Sequence, residues 1–247
     1  MPEFRKNRTV RGAVAAVALI AVSACSSGAT SDKEASKLAS SQAAVRARQQ
    51  AQQALLRTIR SYDQRTSLTL TLTVVRDMCL PGRSRQWIDS NGDDSYKVNC
   101  TMRATAYYGA DRKHVGDVLD SIFTAGDQHG TGITLGHTYY GDHLVAYYRG
   151  KGPNPLAGSQ PKGQEVPEPT PELFDASQTL AWDPVHPTRA DHPVAEPDPC
   201  PAGRPPLIRC TREPAHRTVA ETRRQYSMLF ELDLTAPEYY KVTKKSN

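Results

Sequence analysis

The residues with the clearest chemistry in this 247-residue chain are its five cysteines, which can form disulfides, bind a metal or accept a modification. Four of them lie in the body of the chain: Cys79, Cys100, Cys200 and Cys210. Structural zinc sites favour pairs of cysteines separated by two to four residues, and these neighbours lie much further apart. An even number of thiols favours disulfides in proteins that leave the cytoplasm. The sequence therefore predicts two disulfides, formed between neighbouring cysteines.

The fifth cysteine, Cys25, ends the motif Val22-Ser23-Ala24-Cys25. The chain begins with several basic residues, and an apolar run of only 12 residues follows from Ala13 to Ala24. A membrane span needs about 20 apolar residues, so this run is typical of a signal peptide. The motif resembles the lipobox of bacterial lipoproteins, with Val22 where that family usually has leucine. The alternative is an ordinary signal peptide cut after Ala24, which would leave Cys25 as an unpaired thiol.

The lipobox resemblance implies where the protein works. Residues 1–24 would be a signal peptide, Cys25 would carry the lipid, and residues 25–31 would form a flexible tether. The predicted location is the extracytoplasmic face of the cell membrane, and the membrane itself would be a partner through the lipid on Cys25. Two acyl chains retain a protein stably at a membrane, whereas one chain binds marginally.

Paired tyrosines mark a candidate binding face in the middle of the chain. The sequence predicts a hairpin from Ile133 to Arg149 with a turn at Gly141-Asp142. Alternate strand residues share a face, which would place four side chains together: Thr138, Tyr140, His143 and Tyr147. If uncovered, this aromatic face suits an envelope protein or a cell-wall glycan. The alternative is that tyrosine simply favours strands and that the proline-rich stretch covers this face.

Metal and catalytic motifs are weak. The same hairpin would place His137 and His143 on opposite faces, which leaves His186, His192 and Asp191 as weak metal candidates. The run Asp89–Asp94 begins like a calcium loop but lacks the glycine and glutamate that an EF-hand requires. Nucleophile-elbow, Walker A and dinucleotide-binding motifs are absent from the sequence. We therefore predict no cofactor, no metal and no catalytic residue.

The elements that would position these residues suggest an α+β fold. Residues 32–61 contain neither glycine nor proline and predict one helix, with its late turns docked and its early turns standing off as a spacer. Residues 67–74 and Tyr96–Tyr108 predict an antiparallel strand pair closed by Cys79 and Cys100. Cys79 breaks the alternation of the leucine face, which suggests a strand end or a bulge beside it. Further elements are a helix over 115–123 and strands over 177–182, 207–211 and 226–234.

The second half contains a long proline-rich insertion at about residues 150–206, which holds 14 of the 18 prolines. Proline disfavours helices and central strands. Residues 62–247 are predicted to be a single α+β domain that carries this loop, with a mostly antiparallel sheet and at least one helix packed on it.

Charge argues against nucleic acid as a partner. The net charge of +5 falls to about +2 once residues 1–24 are removed, and the late lysines lie at the end of the chain. The sequence thus predicts a membrane-anchored extracytoplasmic lipoprotein that acts as a non-catalytic binding or adaptor module of the cell envelope. A small-ligand or metal-binding lipoprotein and an envelope hydrolase without a readable motif are the alternatives.

Overall fold

Over the residues that the structure describes, the fold is built on one antiparallel sheet of six strands. A computed structural model describes residues 29–83, 95–157, 166–175, 177–186 and 194–244. The helices are α1 (Asp32–Ala39), α2 (Gln42–Arg65), α3 (Val115–Gly126), α4 (Tyr139–Tyr148) and α5 (Val219–Gln225), with a short 3₁₀ helix at Arg112–His114. The strands are β1 (Thr69–Pro81), β2 (Tyr96–Ala110), β3 (Glu172–Asp175), β4 (Gln178–Trp182), β5 (Ile208–Glu213) and β6 (Met228–Thr243). Their order in the sheet is β3-β4-β6-β2-β1-β5, and the predicted α+β class is confirmed.

Both predicted disulfides are present, Cys79–Cys100 and Cys200–Cys210. Cys79 and Cys100 face each other directly in the β1–β2 pair. The expected break in alternation is caused by a bulge, but the bulge lies between Leu70 and Leu72 rather than beside Cys79. One extra residue turns the following side chains to the opposite face. Leu72 therefore packs on the same face as Val219 of α5, and the strand presents Cys79 to α1 on the opposite face.

The main core lies between one face of the sheet and the helices α2, α3 and α4. The predicted apolar stripe of α3 is buried there, together with Ile59 and Tyr62 from α2. The even-numbered residues of β2 from Met102 to Ala110 form the sheet side of this core, as their alternation predicts. A smaller core on the other face joins Tyr107 to Val219 of α5.

Residues 32–61 are almost entirely helical and the late turns dock on the core, as predicted, but the single helix with a spacer at its start is wrong in two respects. The helix is divided at Ser40-Ser41, where the Ser41 hydroxyl accepts the backbone N–H of Ala44 and caps α2. The early turns also do not stand off as a spacer. Ala35 and Ala39 are fully buried against the Cys79–Cys100 pair, because alanine lets α1 approach the sheet closely.

The predicted hairpin over residues 133–149 is also wrong, since residues 139–148 form α4. The hydroxyl of Thr138 accepts the N–H of Gly141 and caps the helix. Gly141 is buried, and a Cβ there would lie 3.0 Å from the ring of Phe123. Leu144 and Val145 follow it into the core at helical spacing. The residue interpreted as a turn glycine therefore allows close packing of α4 on α3.

The proline-rich insertion contributes two strands to the sheet. The predicted strand over 177–182 is confirmed as β4, which pairs with β6, and β3 lies beyond it at the edge. Glu168 fixes the approach to this hairpin, because its carboxylate accepts the Tyr148 hydroxyl and the backbone N–H groups of Val185 and His186. Within the described ranges, no helix combines the length and the apolar character of a membrane span.

Candidate functional site

The four residues predicted to share a strand face are instead distributed along α4 and its cap. Thr138 precedes the helix, and Tyr140, His143 and Tyr147 follow at spacings of three and four residues, which lie near one another on a helix. His143 Nδ1 donates to the Tyr139 carbonyl oxygen at 2.7 Å, and the centroids of the His143 and Tyr139 rings lie 4.2 Å apart. Because Nδ1 faces a carbonyl oxygen, it carries the proton.

A cleft of about 420 Å³ lies between the start of α4 and the edge strand β3. We call it the aromatic cleft. Tyr140 and Thr138 line it from the helix side, Phe123 from α3, and Glu172 and Phe174 from β3. Two of the four predicted binding-face residues are therefore brought together here. His143 and Tyr147 are not among the lining residues.

Phe174 is the most unusual side chain of this cleft. It is 80% exposed, although the neighbouring Leu173 packs against the main core. The alternation of β3 explains this difference, since Leu173 and Phe174 point to opposite faces. Tyr140 is 39% exposed, and partial burial raises the pKa of its hydroxyl. Two aromatic rings thus remain partly in solvent at one end of the sheet.

The backbone of β3 adds a second feature. β3 is the last strand of the sheet, and its only strand partner in the described part of the chain is β4. An edge strand presents unpaired backbone N–H and C=O groups along its outer side. The aromatic cleft therefore combines apolar rings with the outer side of a short edge strand, on which the N–H of Glu172 already donates to the Thr170 carbonyl at 2.7 Å.

An imidazole–carboxylate pair lies behind the cleft wall. His137 Nδ1 lies 2.6 Å from Asp127 Oδ2, its Nε2 lies 3.6 Å from Asp120, and its ring meets Phe123 edge to face at 5.6 Å. The hydrogen bond to Asp127 raises the pKa of His137 above its ordinary value of 6.5, and the same bond lowers the pKa of Asp127. Asp142 adds a weaker electrostatic contribution in the same direction.

This pair predicts a pH-dependent contribution to stability. Because the pKa of His137 is higher in the folded state than in the unfolded state, protonation of His137 stabilises the fold. This stabilisation is fully present below about pH 6.5 and disappears as the pH rises through the folded-state pKa. We expect the difference in unfolding free energy between the wild type and His137→Gln to shrink from pH 5.5 to pH 8.5. Urea unfolding across this range measures it. Proton NMR should place the pKa of His137 above 6.5 and nearer to 6.5 in Asp127→Asn; a wild-type pKa at or below 6.5 would contradict the assignment.

The weak metal candidates are not assembled into a site by the residues that the structure describes. His186 is exposed, and its backbone N–H donates to Glu168 at 2.8 Å. His192, Asp191 and the run Asp89–Asp94 lie outside the described residues, as do residues 1–24 and Cys25. Across the described ranges, no group of three or more histidine, cysteine, aspartate or glutamate side chains could hold a metal ion.

One form of the hydrolase alternative pairs a serine, threonine or cysteine nucleophile with a histidine base, and another uses clustered carboxylates. The imidazole partners of His137 and His143 are carboxylates and a carbonyl oxygen, and His114 lies near Asp111 and Asp117. None of these imidazoles, which the structure describes, is hydrogen-bonded to a serine, threonine or cysteine side chain. The carboxylate and carbonyl partners of these imidazoles can hold and orient a proton.

Phe174 and the edge strand that carries it are not indicated by the sequence pattern. The sequence feature that could have indicated β3 is Leu173-Phe174, an apolar pair within a stretch otherwise dominated by proline and polar residues. Periodicity needs more residues than the four of β3 to indicate a strand. The chain matches no protein family, no curated protein and no solved structure.

Proposed function

We propose that this protein is a lipid-anchored, extracytoplasmic binding module that docks an extended segment of an envelope protein in the aromatic cleft. The observation that carries the proposal is Phe174, an aromatic side chain left 80% exposed on an edge strand beside Tyr140. Large aromatic residues dominate binding energy at protein interfaces when a partner covers them. The proposal is non-catalytic, because its support comes from surfaces rather than from a reacting group.

The edge strand favours a protein segment over a glycan as the occupant. An extended peptide can add to β3 as a further strand through main-chain hydrogen bonds. Every second side chain of that peptide would then point into the cleft. Such pairing would use the outer backbone groups of β3 and would cover Phe174. A glycan would stack on the rings but would leave the row of backbone groups unpaired. The exposed carboxylate of Glu172 favours a basic residue in the segment.

The lipid anchor rests on the lipobox resemblance and would hold the sheet close to the bilayer. The backbone N–H of Thr30 donates to the Gly82 carbonyl at 2.8 Å, so the chain is already attached to the sheet at that residue. Four residues lie between Cys25 and Thr30, and five residue-to-residue steps span at most about 18 Å when fully extended. A lipid on Cys25 would therefore restrict the domain to partners at or near the membrane surface.

The proposal is tested in the native cells with two arms. In the first arm, the wild-type protein should sediment with membranes. The Cys25→Ala substitution should impair signal-peptide processing and membrane anchoring. Membrane retention of a correctly cleaved Cys25→Ala protein would contradict the anchor. The readout is fractionation followed by mass spectrometry of the N-terminal peptide.

In the second arm, a photo-crosslinking phenylalanine analogue replaces Phe174, and the matched control places it at Arg209, an exposed residue of the opposite edge strand β5. We expect a protein crosslinked at position 174 and not at position 209. A carbohydrate adduct at 174 would replace the protein partner by a glycan. The absence of any adduct specific to 174 would remove the aromatic cleft as the docking site while leaving the anchor untouched.

A further inference from the structure

A second cleft, larger and of different character, lies where β2 ends and β6 begins. Its volume is about 890 Å³, and among the described residues it shares no lining residue with the aromatic cleft. The described charged side chains that line it are three basic ones, Arg112, Lys113 and Arg223, and one acidic one, Asp111. We call it the basic cleft. Clefts of roughly 300–1,000 Å³ are the usual size for small-molecule sites.

Arg112 and Lys113 supply the positive charge in the basic cleft that can bind an anion. Neither forms an ion pair with a residue that the structure describes, and the Nε of Arg112 is buried without a hydrogen-bond partner there. A buried guanidinium N–H without an acceptor is costly, and a bound anion would relieve that cost. Arg223 contributes less, since Asp183 already binds it through Oδ1 at 2.9 Å and Oδ2 at 3.1 Å.

The acidic member of the cleft is held by its own hydrogen bonds. Asp111 Oδ1 accepts the backbone N–H of Lys113 at 3.0 Å and the hydroxyl of Ser227 at 3.3 Å. These bonds lower the pKa of Asp111, so it stays ionised and fixes the 3₁₀ turn that carries Arg112 and Lys113. The Ser227 hydroxyl oxygen also accepts the backbone N–H of Arg112 at 2.8 Å. The turn is therefore positioned before any ligand arrives.

Tyr226 and Val185 complete the lining with apolar surface. The ring of Tyr226 lies against Gly109. A Cβ at position 109 would come within 2.2 Å of that ring, so only glycine leaves room for the ring here. An aromatic ring beside unpaired basic groups suits a ligand with an anionic end and a larger organic part. Arginine binds phosphate through paired N–H groups, and lysine adds a point charge.

We propose that the basic cleft binds the phosphate group of a phosphorylated organic ligand, with Arg112 and Lys113 as the anion-binding residues. The proposal does not depend on the aromatic cleft or on the lipid anchor. The phosphate can belong to a free phosphorylated sugar or to a phospholipid headgroup, since both present the same oxygens to the two basic side chains.

Calorimetric titration of the full chain in a neutral detergent tests the proposal with four probes: glucose 1-phosphate, dihexanoyl-phosphatidylglycerol, inorganic phosphate and glucose. We expect binding of a phosphorylated organic probe, weaker binding of inorganic phosphate and none of glucose. Binding should weaken at least tenfold in Arg112→Gln and in Lys113→Gln, and should weaken as salt rises. Arg209→Gln, which removes an exposed arginine of β5, is the matched control and should bind as the wild type does.

The two organic probes distinguish the source of the phosphate. Binding of glucose 1-phosphate alone indicates a free ligand, and binding of the short-chain lipid alone indicates a headgroup. Circular dichroism of each variant separates a lost site from a lost fold. Failure of both organic probes to bind, or equal weakening in Arg209→Gln, would overturn the proposal.

Discussion

Replacing Asp77 with alanine should lower the free energy of unfolding by about 3–5 kcal/mol, because it leaves a buried arginine without its counter-charge. Arg48 Nε lies 2.6 Å from Asp77 Oδ2, and the two side chains are only 6% and 5% exposed. The Tyr239 hydroxyl donates to the other carboxylate oxygen at 2.5 Å. The carboxylate therefore joins α2, β1 and β6 in one buried network. Urea unfolding of the full chain, followed by circular dichroism, measures the loss.

A double variant separates the charge from the packing. Arg48→Met with Asp77→Leu removes both charges and should be clearly less destabilised than Asp77→Ala, since a buried pair replaced by apolar residues is often nearly neutral. The control is the exposed pair of Lys97 and Glu34, whose side chains are 43% and 46% exposed. Glu34→Ala should cost at most about 1 kcal/mol. Equal losses in Asp77→Ala and Glu34→Ala would show that the buried network contributes little.

The parts of the fold that the sequence predicted are those in which burial follows a local period. The alternation from Val98 to Ala106 in β2 and the spacing from Val115 to Phe123 in α3 each point one face to a core. Cysteine parity added the long-range pairing of Cys79 with Cys100, which periodicity alone cannot supply. These predictions are confirmed because each depends on a small amount of sequence. The burial period is visible within a few neighbouring residues, and the disulfides follow from a small, even number of cysteines.

The errors occur where one residue type serves two purposes. Gly141 next to Asp142 has the composition of a hairpin turn, but in α4 the glycine admits Phe123 of α3, and Thr138 supplies the cap. Ser40-Ser41 could continue a helix, but its hydroxyls bond to the backbone and end α1 and begin α2. Tertiary packing decides whether such residues form a turn or part of a helix, and a single sequence does not show which elements pack together.

The aromatic cleft shows the same limit. The predicted strand face that joined Tyr140 to Thr138 does not exist, and these two residues line the cleft because α4 begins beside β3. Phe174 comes from a strand more than 30 residues later in the chain. The meeting of these elements depends on how the β3–β4 hairpin extends the sheet. Local pattern can indicate which side chains have useful chemistry, whereas the sheet order decides which of them meet.

The second large effect is expected at Trp182, on the same β3–β4 hairpin as Phe174. Trp182 is fully buried, stacks on Phe230 at 5.8 Å between ring centroids, and donates its indole N–H to the Tyr148 hydroxyl at 3.4 Å. Truncation of a buried aromatic side chain costs about 3–5 kcal/mol through lost burial and the cavity left behind. Trp182→Ala should therefore lower the free energy of unfolding by that amount in urea titrations of the full chain.

Phe174→Ala is the matched control, because it removes an aromatic ring from the same hairpin on the solvent side. A ring that is 80% exposed has little burial to lose, so its removal should change the free energy of unfolding by no more than about 0.5 kcal/mol. The same variant should lose the partner segment proposed for the aromatic cleft, since an interface anchor contributes only when the partner covers it. Comparable destabilisation by the two variants would mean that Phe174 supports the fold, and its exposure could then no longer be interpreted as a binding feature.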